Sequence, residues 1–180
     1  MKTVLIVDGY NVLHHWAEKK QIEELDLEAG REHLIHRLAD YSGYRGCRTI
    51  LVFDAYAQEE AENRELTRNG ISIVFTGKDQ TADSYIERKV YDLRGHTQEK
   101  RRYNGTQVQV VTSDYTVQQM ILACGAQRMS SRELLDEMEQ ARIDSEKQRR
   151  VQQMSAGQNR ISDHMDDTVR DELENMRRGK

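Results

Sequence analysis

The chain has 180 residues, 32% of them charged and 37% hydrophobic, with a formal net charge of −4 and a pI near 5.9. That length suits one domain and at most an appendage, and the acidic balance excludes a generally basic nucleic-acid binder, so any polyanion must meet local patches or a metal ion. No apolar run approaches the roughly 20 residues of a membrane span, Cys47 and Cys124 lack zinc-ligand spacing, and the first residues already look like a strand, so the expectation is a cytoplasmic protein without a signal peptide or a membrane partner.

Val4, Leu5, Ile6 and Val7 form an apolar run rich in β-branched residues, the habit of a strand buried on both faces of a parallel sheet. Asp8 stands at its end, Gly9 is expected to break the extended conformation, and Tyr10 and Asn11 open the next segment. Ligands of open α/β sheets bind beyond the carboxyl ends of the strands, so Asp8 and Asn11 belong to the functional crevice. Residues 12–26 show no clear period, with Trp16 read as packed and Glu23, Glu24 and Asp26 clustered before the next element. Residues 27–44 read as a helix with Leu27, Leu34, Leu38 and Tyr41 near one stripe, and Gly43 and Gly46 bracket its exit. A second buried strand, 49–53, ends in Asp54.

Residues 57–68 form a polar, helix-favouring surface stretch, Asn69-Gly70 is a turn signal, and 71–75 make a third strand. After a loop, Thr81 is placed to cap a helix running to about 93, with Asp83 in its first turn. Residues 95–105 are a polar excursion containing Lys100, Arg101 and Arg102. A fourth strand, 107–112, is followed directly by Ser113 and Asp114; a helix at 115–124 and a short edge strand at 125–129 come next. Ser130 and Glu133 have capping-box spacing for a long helix to about 154. A hinge at 155–159 then leads to an amphipathic helix on the stripe Ile161, Met165, Val169, Leu173 and Met176. Strands alternating with helices make an α/β fold with a mainly parallel sheet of about five strands.

In a parallel sheet Asp8, Asp54 and Asp114 at strand ends and Asp83 at a helix start all reach one edge. Like charges crowded there are costly unless a cation neutralises them. Oxygen ligands without His or Cys favour Mg²⁺ or Mn²⁺ over Zn²⁺, and such an ion keeps waters beside a phosphate oxygen, which suits phosphodiester hydrolysis. Each acid also has a purely structural reading: Asp8 ends a strand, Asp83 complements a helix dipole, Asp114 caps the next helix and Asp54 anchors a loop.

Four motifs in order, Val-Asp-Gly-Tyr-Asn at 7–11, Val-Phe-Asp-Ala at 52–55, Thr-Ala-Asp at 81–83 and Thr-Ser-Asp-Tyr at 112–115, resemble the NYN branch of the PIN-like ribonucleases. The chain looks most like the YacP-type group, described as ribosome-associated endoribonucleases acting on messenger RNA. The resemblance covers about residues 2–154. It implies a three-layer PIN-like nuclease domain over 1–154, with 155–180 as a hinge and C-terminal helical extension. It further implies that Asp8, Asp83 and Asp114 bind the metal, that Asn11 orients water or a substrate phosphate, and that Asp54 either ligates or anchors. RNA and the ribosome would be the partners.

Candidate RNA contacts outside the acids are Lys100, Arg101 and Arg102, which precede a strand and so belong to its amino end, together with Tyr10 and Ser113. Tyr10, Tyr56, Tyr85 and Tyr115 neighbour the acidic positions and offer faces for an unpaired base or for the core. Arg31, Arg37, Arg45 and Arg48 either approach the crevice or pair with surface acids. A receiver domain is disfavoured because Gly9, not a second acid, follows Asp8, and an Asp-x-Asp phosphatase because position 10 is Tyr. The remaining rival is a catalytically silent RNA- or ribosome-binding module with the same fold.

Overall fold

The computed structural model describes residues 3–21, 26–54, 63–94, 105–163 and 175–177. In chain order they form β1 (Thr3–Asp8), α1 (Gly9–Lys20), α2 (Leu27–Arg45), β2 (Arg48–Phe53), β3 (Arg64–Arg68), β4 (Ile71–Phe75), α3 (Ala82–Arg94), β5 (Gln107–Val111), α4 (Tyr115–Ala123), β6 (Gln127–Met129) and α5 (Ser131–Asp163). The chain divides into two compact units, Met1–Ala141 and Arg142–Lys180. The first holds a six-stranded sheet in the order β3-β4-β2-β1-β5-β6, parallel throughout except for β3.

The four-residue apolar run of β1 is buried because β1 is central in the sheet and helices cover both faces. Strand alternation sorts the core into two layers. Leu5, Val7, Leu51 and Phe53 pack with Leu13, Leu34, Leu38 and the first turns of α5. Val4, Ile6, Ile50, Val52, Val108 and Val110 pack with Ile86 and Val90 of α3 and Val117 and Ile121 of α4. From β1 the chain steps outward to β2 and β4, then returns past β1 to β5. This reversal falls at the carboxyl ends of β1 and β5, where an open α/β sheet holds its ligands.

Three expectations change. Residues 64–68, expected as part of a helix-favouring stretch, are the antiparallel edge strand β3 and bring the sheet to six strands. Asn69 and Gly70 both adopt positive φ, 51° and 82°, which a two-residue hairpin turn requires, and this local chemistry outweighs the helix propensity before it. The strand does lie on the surface, and Arg64, Glu65 and Arg68 discourage pairing at the open edge. Within 12–26, which showed no clear period, residues 12–20 belong to α1 and pack on a short stripe of Val12, Leu13, Trp16 and Ala17. The backbone of 155–159, expected as a hinge, is helical within α5. The chain contains no proline, and a single interior glycine costs a helix only about 1 kcal/mol.

The capping box at the start of α5 forms as expected, Glu133 N–H donating to Ser130 Oγ at 3.2 Å and Ser130 N–H to Glu133 Oε2 at 2.7 Å. Gly46 closes α2 in the left-handed conformation. Most of the expected C-terminal amphipathic helix lies outside the described residues. Among the described residues no helix is long and apolar enough to cross a membrane.

Candidate active site

Register brings the strand-end acids to one edge. Asp8 pairs with Val52, so Asp54 emerges just beyond it at the end of β2; Val7 pairs with Val111, so Asp114 leaves the same end of β5. The fourth acid arrives through α3. Thr76 N–H donates to the Phe53 carbonyl at 2.9 Å as the chain leaves β4, and Asp54 Oδ1 accepts the N–H of Ala82. That bond pins the start of α3 to the end of β2 and sets Asp83 in the first turn beside the crevice. Thr81 caps this helix as expected, its Oγ1 accepting Ser84 N–H at 3.2 Å.

The acids at the strand ends each serve the backbone with one oxygen. Asp8 caps α1, its Oδ1 accepting Asn11 N–H at 3.1 Å, and Asp114 caps α4, its Oδ1 accepting Val117 N–H at 3.0 Å. Cap and ligand are therefore compatible roles, since the Oδ2 atoms of Asp8, Asp54 and Asp114 and both oxygens of Asp83 take no hydrogen bond among the described residues. Burial pushes the Asp8 carboxyl from 3.8 up to about 6; the Asn11 N–H opposes this, and the charges of Asp83, Asp54 and Asp114 add to it. Asp83 is also raised, first by burial and then by Asp114, Asp54 and Glu87. The four acids thus share one electrostatic environment, and Glu87, one turn along α3, extends it.

Asn11 acts as a latch. Its Oδ1 accepts both Ser113 N–H at 3.1 Å and the Ser131 hydroxyl at 2.6 Å, tying α1 to the loop after β5 and to the start of α5. A backbone N–H can only donate, so the side-chain oxygen must face it, leaving Nδ2 as the group available to an anion. Ser131 is fully buried and was not singled out in the sequence, where the neighbouring Ser130 carries the whole capping signal. Thr112 is buried with its Oγ1 accepting Asp114 N–H at 3.1 Å, so it shapes the loop. Gly9, expected to break the chain's conformation, begins α1; it is needed because a Cβ there would collide with the Phe53 ring.

Among the aromatic candidates, Tyr10 packs edge-on against Phe53 at 5.1 Å and its hydroxyl accepts Arg31 Nη1–H at 3.0 Å. Tyr115, beside Asp114, is 72% exposed and has no part in the core. Arg37 and Arg45 pair with Glu139 and Glu137 at 2.9 and 3.7 Å. Lys100, Arg101, Arg102 and Tyr56 lie outside the described residues. A separate apolar cleft lined by Leu13, Trp16, His33, Leu34 and Met138 contains none of the four acids.

The residues fit a hard divalent cation by their chemistry: no His or Cys, and four carboxylates with oxygens to spare, two of which, Asp8 and Asp83, are crowded enough by burial and like charge to favour a bound cation. Among the described residues no three His, Cys, Asp or Glu side chains close around a single ion. A cation that keeps several of its waters does not require such closure.

Known proteins resemble this chain over nearly its whole length. The family described as YacP-like NYN domain matches residues 5–178. YacP of Bacillus subtilis (strain 168) is 35% identical over 176 residues, 98% of this chain and 97% of the relative. The crystal structure of Rae1 (YacP) from Bacillus subtilis superposes with a TM-score of 0.64 at 35% identity, covering 98% of this chain and 95% of that one. A tryptophan-to-leucine mutant of the same protein matches with a TM-score of 0.64 at 34% identity over 86% of this chain and 84% of the other.

Proposed function

We propose, from the premise that this chain belongs to the YacP-like NYN domain family, a nuclease-type family, that it is a metal-dependent endoribonuclease acting on messenger RNA in association with the ribosome in the cytoplasm. The observation that carries the reading is the meeting of Asp8, Asp54, Asp83 and Asp114 at the switch point of the sheet, where burial and mutual charge raise Asp8 and Asp83.

Asp8, Asp83 and Asp114 would hold Mg²⁺ or Mn²⁺, while Asp54, committed to Ala82 N–H, fixes α3 and adds negative charge. When bound, such an ion lowers the pKa of a coordinated water and offsets charge developing on the phosphate. The chain's own residues supply the geometry. Asn11 holds the β1 and β5 ends together and presents Nδ2 toward a phosphate oxygen. Ser113 is held at the same latch through its N–H, and the exposed Tyr115 ring offers a stacking face for an unpaired base. In-line attack of water on phosphorus breaks the P–O3′ bond and leaves a 5′-phosphate and a 3′-hydroxyl.

A second reading, a catalytically silent RNA- or ribosome-binding module, is favoured by the lack of a closed three-residue cation nest among the described residues. One experiment separates the two: cleavage of translated and untranslated messages, with and without EDTA, by wild type and Asp8→Asn. EDTA-sensitive cleavage by wild type alone supports the nuclease. Ribosome binding with no cleavage under any condition supports the silent module.

A further inference from the structure

The edge segments that carry the acids, 8–11, 53–54, 81–83 and 112–114, contain no lysine or arginine. Even with a divalent cation bound, four carboxylates leave the edge negative, so a phosphodiester approaching it gains from a further positive charge elsewhere in the fold. Arg31, in the second turn of α2, is part-buried and makes a single hydrogen bond among the described residues, to the neutral Tyr10 hydroxyl. It forms no ion pair within 4 Å with any described carboxylate, and its attraction to Glu32 is weaker than that of Arg68. Neighbouring arginines differ: Arg37 and Arg45 pair with Glu139 and Glu137, and Arg68 forks onto Glu32 at 2.6 and 2.9 Å, which occupies the acid next to Arg31 in sequence. Lys78, in the loop before α3, is exposed and makes no hydrogen bond or ion pair among the described residues. A part-buried guanidinium held by a phenol, with most of its donors unspent among the described residues, suits an anion from outside the chain.

The tether also gives Arg31 a position. Tyr10 follows Asp8 by two residues, and its ring rests on Phe53, the residue before Asp54. Two contacts therefore connect the guanidinium to the acid edge. We propose that Arg31, oriented by Tyr10, binds a backbone phosphate of the RNA beside the scissile bond and sets the side from which the strand enters the crevice. The proposal deepens the nuclease reading and rests on it for the identity of the polyanion. Arg31 is the phosphate-binding residue and Tyr10 a positioning residue.

The test uses the full chain carrying Asp83→Asn, so that RNA is bound without being cut, and measures anisotropy of a labelled single-stranded oligoribonucleotide across a salt series. Adding Arg31→Ala should weaken binding about tenfold, the scale of a charge-assisted hydrogen bond. It should also flatten the slope of log K against log salt by about 0.7, one phosphate contact on a single strand. Arg31→Lys should keep the slope and recover only part of the affinity, because an ammonium keeps the charge and loses the fork. Tyr10→Phe should weaken binding with no change of slope. Thermal melts check each fold; if Arg31→Ala does not fold, Arg31→Lys and Tyr10→Phe decide. Unchanged affinity and slope in Arg31→Ala, or a slope in Arg31→Lys as flat as in Arg31→Ala, overturns the assignment, as does an absence of RNA binding by the parent. If Arg31 governs binding but wild type never cleaves RNA, the nuclease reading fails and the Arg31 site stands. If cleavage is EDTA-sensitive while Arg31→Ala binds like its parent, the reverse holds.

Discussion

Asp8→Asn should stabilise the metal-free protein while abolishing its activity. Raising the Asp8 carboxyl from 3.8 to about 6 means that the native state disfavours the ionised form by about 3 kcal/mol, at roughly 1.4 kcal/mol per pH unit. Linkage gives the sign: the native state binds the proton more tightly than the unfolded chain, so this group's contribution is full below pH 3.8 and is lost as pH rises through about 6. Asparagine keeps an oxygen for Asn11 N–H and removes the charge, though losing an anion at the N-terminus of α1 gives back up to about 1 kcal/mol. The net gain expected at pH 8 is about 2 kcal/mol, or roughly 4–8 °C in Tm for a chain of this size. Thermal melts in EDTA at pH 8 and pH 3 measure it, and the difference should nearly vanish at pH 3, where both states largely hold the proton. A variant that melts at or below wild type at pH 8 refutes the crowded-acid account of the site.

Mg²⁺ or Mn²⁺ added to the wild type at pH 8 should raise its Tm and leave Asp8→Asn nearly unmoved; equal shifts in both would remove Asp8 from the cation site. Asp83→Asn and Asp114→Asn should each lower RNA cleavage by at least about 100-fold with far-ultraviolet circular dichroism unchanged, and full activity in either would strike that residue from the machinery. Gly9→Ala forces a methyl group into the Phe53 ring and should cost about 1–3 kcal/mol, read as a lower urea midpoint. Asn11→Ala strands the Ser113 N–H and the buried Ser131 hydroxyl and should cost about 2 kcal/mol; Ser131→Ala, which removes the buried donor itself, should cost less.

Local patterns read well where one physical effect dominates. The β-branched run of β1, the Asn69-Gly70 turn, the Thr81 cap and the Ser130–Glu133 box each depend on neighbours within four residues, and each forms as the residues suggest. The strand β3 was hidden because its alternation carries almost no apolar signal: Arg64, Glu65, Thr67 and Arg68 are all exposed, and the turn beyond them sets the pairing. The helix α1 was hidden because its stripe is only two turns long.

That acids stand at the ends of buried strands is legible in the linear chain, because a run of apolar residues and the residue that stops it are neighbours. The further tasks of those groups arise from long-range packing. Asp54 reaches 28 residues along the chain to hold Ala82, Asn11 spans 102 and 120 residues to Ser113 and Ser131, and Arg31 reaches back 21 residues to Tyr10. Side-chain hydrogen bonds across such separations leave no periodicity to read. They exist because the parallel register of β1, β2 and β5 brings the ends of distant segments within a few ångströms of one another.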